Sequence, residues 1–143
     1  MKLPSDPASR FYQSQDLRLH YADWGNAAAP PLILVHGGGF LPYHIGRFDR
    51  AHTTREEARA DGAGRPSDYL RRFHYDTLVQ LPRALGYLVD LVGSDRVLLG
   101  SDHPFWMGDP NPIQIVREAD LTAETQRKIL GDNAVRLFRM EAS

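Results

Sequence analysis

Two short apolar runs constrain the fold of this chain more than any other feature. Residues 31–35 read PLILV and stop at His36 and three glycines, and residues 96–100 read RVLLG and stop at Ser101-Asp102-His103-Pro104. An unbroken apolar run of this length, bounded by glycine or proline, is the pattern of a strand covered on both faces, as parallel strands are. Pro104 cannot continue a ladder, so the second run must end before it. Between them, residues 73–77 (FHYDT) combine aromatic and β-branched side chains, which suits a third short strand.

The segments that separate these strands have helical spacing. Leu81, Ala84, Leu85, Leu88 and Val89 recur on one helical face, and Gly93 supplies the stop. Thr122 is a good N-cap for a helix over 123–130, Gly131 then terminates it, and Asp132 or Asn133 starts a last turn that buries Val135, Leu137 and Phe138. Ser67 is placed to cap a short helix through Arg71. Residues 53–66 are charged and small, which predicts an exposed helix followed by a flexible loop at 61–65. Near the N-terminus, residues 17–21 alternate apolar and polar as a half-buried strand does, and 23–31 carry turn residues. Strand, helix, strand, helix, strand, helix is the order of an α/β protein with a parallel sheet and crossover helices. In such sheets chemistry sits beyond the C-terminal ends of the strands, where His36, the loop after Asp76, and Asp102-His103 all fall.

Composition narrows the chemistry. At 143 residues the chain is long enough for one domain with a real core, and a net charge of -1 gives no broad basic field for nucleic acid or an acidic membrane surface. A small molecule is the better partner. Without cysteine there is no thiolate nucleophile and no sulfur metal site, so a metal would need His, Asp or Glu. The N-terminus MKLPSDPASR has no apolar stretch of a targeting signal and no run approaches a membrane span, which makes cytoplasm the expected location.

Two strand ends could carry function. Glycines after His36 let backbone N–H groups approach an anion while the histidine serves as a base, although a plain turn beside a hydrogen-bonded histidine has the same pattern. Asp102 would be held at a strand mouth, either as a hard anionic ligand or as a cap on its own loop. The six histidines contain no i, i+4 pair and no H-x-H, so spacing alone builds no metal site.

The residues His36-Gly37-Gly38-Gly39, Pro42 and Gly46-Arg47 come first in a longer ordered series. Tyr69-Leu70, Phe73-x-Tyr75-Asp76 and Leu88-Val89-Asp90-x-Val92-Gly93 follow, leading into Asp95-Arg96-Val97-Leu98-Leu99-Gly100-Ser101-Asp102-x-Pro104-Phe105. The series closes on Lys128-Ile129-Leu130-Gly131-x-Asn133-Ala134. Together these motifs resemble the C-terminal part of the aminocarboxymuconate semialdehyde decarboxylase family, within the amidohydrolase-related group.

The resemblance implies the last third of a (β/α)8 barrel, not a closed barrel, and a metal-dependent decarboxylase or hydrolase of a small carboxylic acid. It implies a divalent metal, usually zinc, with Asp102 as the metal ligand of the last strand and His36 as the group that activates metal-bound water. It implies for Arg47 a substrate-carboxylate contact across a dimer interface. The family's H-x-H on the first strand and its histidine ligand on the fifth have no counterpart in this sequence. Any metal is therefore expected to be weakly held, and the activity to be impaired.

Residues 11–38 look different. Phe11 to Gly25, followed by the apolar run into His36-Gly37-Gly38, resembles the opening strands of α/β-hydrolases. On that resemblance the backbone N–H groups of Gly37 and Gly38 would suit an oxyanion hole. No G-x-S-x-G elbow exists, and Ser101 lies in G-S-D-H. The expected organisation is thus 1–35 as hydrolase-like strands and 36–143 as the amidohydrolase-related segment, a chimera joined at a shared motif. Alternatives to the decarboxylase reading are an esterase fragment and a non-catalytic module that self-associates. Open strand edges favour a homo-oligomer in every case.

Overall fold

The computed structural model describes residues 8–14, 17–23, 33–56, 59 and 64–140. The expected turn after Asp23 and most of the loop at 61–65 lie outside them. The chain divides into two units, Met1–Pro31 and Leu32–Ser143. The first is an antiparallel hairpin, β1 (Ala8–Ser14) paired with β2 (Leu17–Asp23) in the register Ala8 to Asp23 and Ser14 to Leu17. The alternation of apolar and polar residues over 17–21 marks β2.

In the second unit the parallel sheet forms as expected, with order β3-β4-β5: β3 is Leu34–Val35, β4 His74–Asp76 and β5 Val97–Leu98. Val35 pairs with Tyr75 and Tyr75 with Val97, so these three share one face. That face meets the core, in which Tyr75, Leu85, Leu88, Val92, Val97 and Val116 are fully buried. The sheet is open, as expected of part of a barrel. The first apolar run nevertheless behaves unlike the other: Leu34 is 56% exposed. Among the described residues β3 stands at the edge of this sheet, paired on one side only.

Helices and short 3-10 turns build the rest. α1 (Leu41–Thr54) buries only Pro42 and Ile45, and it lies before the charged stretch that the sequence marks as helical. Its weak apolar stripe, with Tyr43 and Phe48 exposed, hides it from a periodicity reading. The short 3-10 turn Pro66–Arg72 is not capped by Ser67; Asp68 accepts the Arg65 N–H at 3.0 Å, and the Ser67 N–H goes to Asp49 at 3.0 Å. α2 (Pro82–Val92) follows its spacing: Leu85, Leu88, Val89 and Val92 face inward, and each fully buried leucine contributes about 1.5–3 kcal/mol relative to exposure. Gly93 ends it at φ 92, where a Cβ would meet the Asp95 carboxylate at 2.9 Å. α3 (Pro112–Glu118), started by Pro112, adds Ile115 and Val116 to the core.

The C-terminal helix departs from expectation. Thr122 does cap α4 (Ala123–Arg127), accepting the Thr125 N–H at 3.2 Å. Gly131 does not terminate it: the backbone widens into a π turn over Lys128–Asp132 and continues as α5 (Asn133–Phe138), which stops at Arg139 in the left-handed region, φ 52. A π turn inserts a residue and rotates the faces that follow. Asn133 consequently turns inward at 2% exposed, whereas Val135 and Phe138, expected in the core, are 36% and 52% exposed.

Candidate active site

Parallel pairing brings the ends of β3 and β4 side by side, and the chain leaving β5 returns to them. Thr77, fully buried, fastens this rim: its Oγ1 donates to the Gly100 carbonyl at 3.3 Å and accepts the Gly100 N–H at 3.2 Å. A Cβ on Gly100 would stand 3.0 Å from the Asp76 Cβ, so the two strand ends approach closely because residue 100 has no side chain.

His36, just beyond β3, is held by Asp76 at the end of β4. Its Nδ1 lies 2.8 Å from Asp76 Oδ2, while Asp76 Oδ1 accepts the N–H groups of Gly37 at 2.7 Å and Leu78 at 3.0 Å. The other ring nitrogen, Nε2, faces Asp102 Oδ2 at 3.7 Å. The hydrogen bond to Asp76, assisted by the negative charges of Asp76 and Asp102 and opposed by partial burial, raises the His36 pKa above 6.5. Asp102 sits in the left-handed region at φ 57, a conformation in which a non-glycine residue is uncommon and which short acidic side chains tolerate. Its loop then passes through exposed His103, whose N–H is 3.3 Å from Ser101 Oγ, to the exposed Phe105, Trp106 and Met107.

The imidazole opens on a cavity of about 390 Å³ lined by His36, Gly37, Tyr43, Leu78, Val79, Gln80, Asp102 and Met107. Gln80, also left-handed at φ 52, donates from its side-chain amide to the Met107 carbonyl at 2.8 Å and so ties the turn after β4 to the loop after β5. The cavity combines apolar walls with one basic nitrogen and one carboxylate, an arrangement that can move a proton.

Of the three side chains singled out by the sequence, two therefore meet, His36 and Asp102. Arg47 is exposed on α1, one turn beyond the cavity-lining Tyr43, and is not among the residues that line the cavity. The Gly37 N–H is engaged by Asp76, and Gly38, at φ 69, packs where a Cβ would lie 2.9 Å from Val79. Asp76 was overlooked as a site residue. Its signal was present, since like Asp102 it is an acid at the C-terminal end of a parallel strand.

A metal tests differently from the proton chemistry. Asp102 and the free nitrogen of His36 are suitable donor types for a divalent cation, but among the described residues no three His, Asp or Glu side chains converge to hold one. The described residues do not by themselves make a metal centre.

The model of the amidohydrolase family matches residues 17–140, and the chain belongs to that family. Over 112 residues it is 34% identical to the 2-amino-3-carboxymuconate-6-semialdehyde decarboxylase of Dictyostelium discoideum, covering 77% of this chain and 31% of that protein. The crystal structure of 5-carboxyvanillate decarboxylase from Sphingomonas paucimobilis superposes with a TM-score of 0.67 at 28% identity, over 77% of this chain and 34% of that one. A dihydroxybenzoic acid decarboxylase from Polaromonas, solved with manganese and 2-nitroresorcinol, shares the fold at TM-score 0.67 and 21% identity, over 78% of this chain and 35% of that one. A divalent metal thus occurs among the structural neighbours, and the chain spans about a third of the length of each of these relatives. No helix among the described residues is long and apolar enough to cross a membrane.

Proposed function

We propose that this chain carries the histidine–carboxylate part of a decarboxylase site of the amidohydrolase family, acting on a small aromatic or unsaturated carboxylic acid. The observation that carries this reading is His36, held by Asp76 and directed at Asp102 over the cavity, in a family whose relatives named above are decarboxylases. Leu78, Val79 and Met107 offer apolar walls to a ring, and the histidine supplies the proton that replaces the departing carboxyl. Arg47 takes a substrate carboxylate from across an interface between two copies. The exposed Ile33 and Leu34 beside the open edge of β3 support such association.

A divalent metal, zinc or manganese, binds weakly through Asp102 and needs ligands from outside the described residues. Carbon dioxide release from hydroxylated benzoates tests the activity, measured with added zinc or manganese and alongside light scattering. Expected are turnover lost in His36→Gln and weak metal binding lost in Asp102→Ala. Tight, stoichiometric metal binding that survives Asp102→Ala would refute the assignment of Asp102, and turnover that survives His36→Gln would refute that of His36.

A further inference from the structure

We propose that Asp76 is the positioning residue that decides how the ring of His36 is presented: Nδ1 carries the hydrogen and donates it in a hydrogen bond to Asp76, and Nε2 is the nitrogen turned to the side of Asp102. The inference rests on the reading of His36 as the proton-handling group, but its physical basis is separate. An ionised carboxylate only accepts hydrogen bonds. Both Asp76 oxygens are committed, Oδ1 to the backbone N–H groups of Gly37 and Leu78 and Oδ2 to His36 at 2.8 Å. Backbone donors cannot turn away, so the carboxylate is fixed in orientation, and the nitrogen facing it must be N–H.

Glycine at residue 37 is part of the device. Its φ of 59 is disfavoured for other residues, and a Cβ there would stand 3.2 Å from the Leu78 carbonyl. The neutral ring then presents a bare Nε2 on the side of Asp102, whose Oδ2 stands 3.7 Å away.

The test is spectroscopic and needs no substrate. Chain labelled with 15N-histidine gives long-range proton–nitrogen correlations at a pH where the ring is neutral, with His36 assigned by its loss in His36→Gln. The wild type is expected to show the hydrogen on Nδ1. In Asp76→Asn the amide oxygen stays with the two backbone donors, so its NH2 group faces Nδ1 and the hydrogen moves to Nε2. A wild-type ring with its hydrogen on Nε2, or divided between the two nitrogens, overturns the proposal, as does a folded Asp76→Asn protein with an unchanged tautomer. The wild-type spectrum decides the matter even where the variant does not fold. An inactive protein with the expected tautomer would count against the decarboxylase reading and leave the role of Asp76 standing.

Discussion

Replacing Asn133 by alanine should cost about 3 kcal/mol of stability, although the residue lies far from the candidate site in sequence and touches no cavity wall. Its Nδ2 donates to the Ser94 carbonyl at 2.7 Å and to the Val97 carbonyl at 2.8 Å, and so fastens α5 to the start of β5. Arg136 donates to its Oδ1 at 3.3 Å, completing the side chain's bonds. The Val97 contact is buried, and a buried carbonyl left without a partner costs about 1–3 kcal/mol. At Ser94 the contact is only partly buried, so water recovers some of the loss and about 0.5–1.5 kcal/mol remains. Set against a typical total of about 5–15 kcal/mol, the sum is a large fraction. Asn133→Asp should cost more, because a carboxylate would face two carbonyl oxygens with nothing to donate. Urea unfolding followed at the helical circular-dichroism band reads the change as a lower midpoint at constant slope. A loss below about 1 kcal/mol for alanine, or an aspartate variant as stable as wild type, would refute the reasoning.

Three pH dependences follow from ring side chains, two of them buried. His74 is buried with no hydrogen-bond partner for Nδ1 among the described residues, and its pKa is lowered by burial and by Arg96 and Arg136, with Asp95 opposing. The unfolded chain therefore takes up this proton first, so stability present above pH 6.5 is lost as pH falls towards the folded value. His74→Leu should flatten that acid limb of melting temperature against pH, and an unchanged limb would show that His74 is not responsible. His36 acts oppositely: its raised pKa gives stability that is full below 6.5 and lost as pH rises through the folded value. Tyr75, whose hydroxyl donates to the Leu70 carbonyl at 2.9 Å, is pushed by burial to about 12. Stability should then fall between pH 10 and about 12, and Tyr75→Phe should remove that fall; a variant that retains it would refute this origin.

The sequence was most informative where one local rule and the packing agreed. The helix over Pro82–Val92 was legible because its apolar spacing coincides with its buried face and Gly93 has the backbone that ends it. Strands His74–Asp76 and Val97–Leu98 were legible because their residue types suit the pleated sheet. Reading failed where tertiary contacts override the local signal. Helix α1 buries too few apolar residues to reveal its period, and Gly131 looks like a stop although the chain winds past it to deliver Asn133 to β5. At the site, His36 and Asp102 were found from their places after apolar runs. The grip of Asp76 on His36 spans forty residues, and only the parallel register of β3 and β4 shows it.

The left-handed backbone at Asp102 sets folding and chemistry against each other. Glycine would occupy that conformation without the strain that a side chain carries, so Asp102→Gly should fold as well as the parent or better, by up to ~1 kcal/mol. The same change deletes the carboxylate opposite Nε2 of His36. A screen for thermal stability would therefore be drawn to the substitution that empties the proposed site, whereas a screen for turnover would reject it.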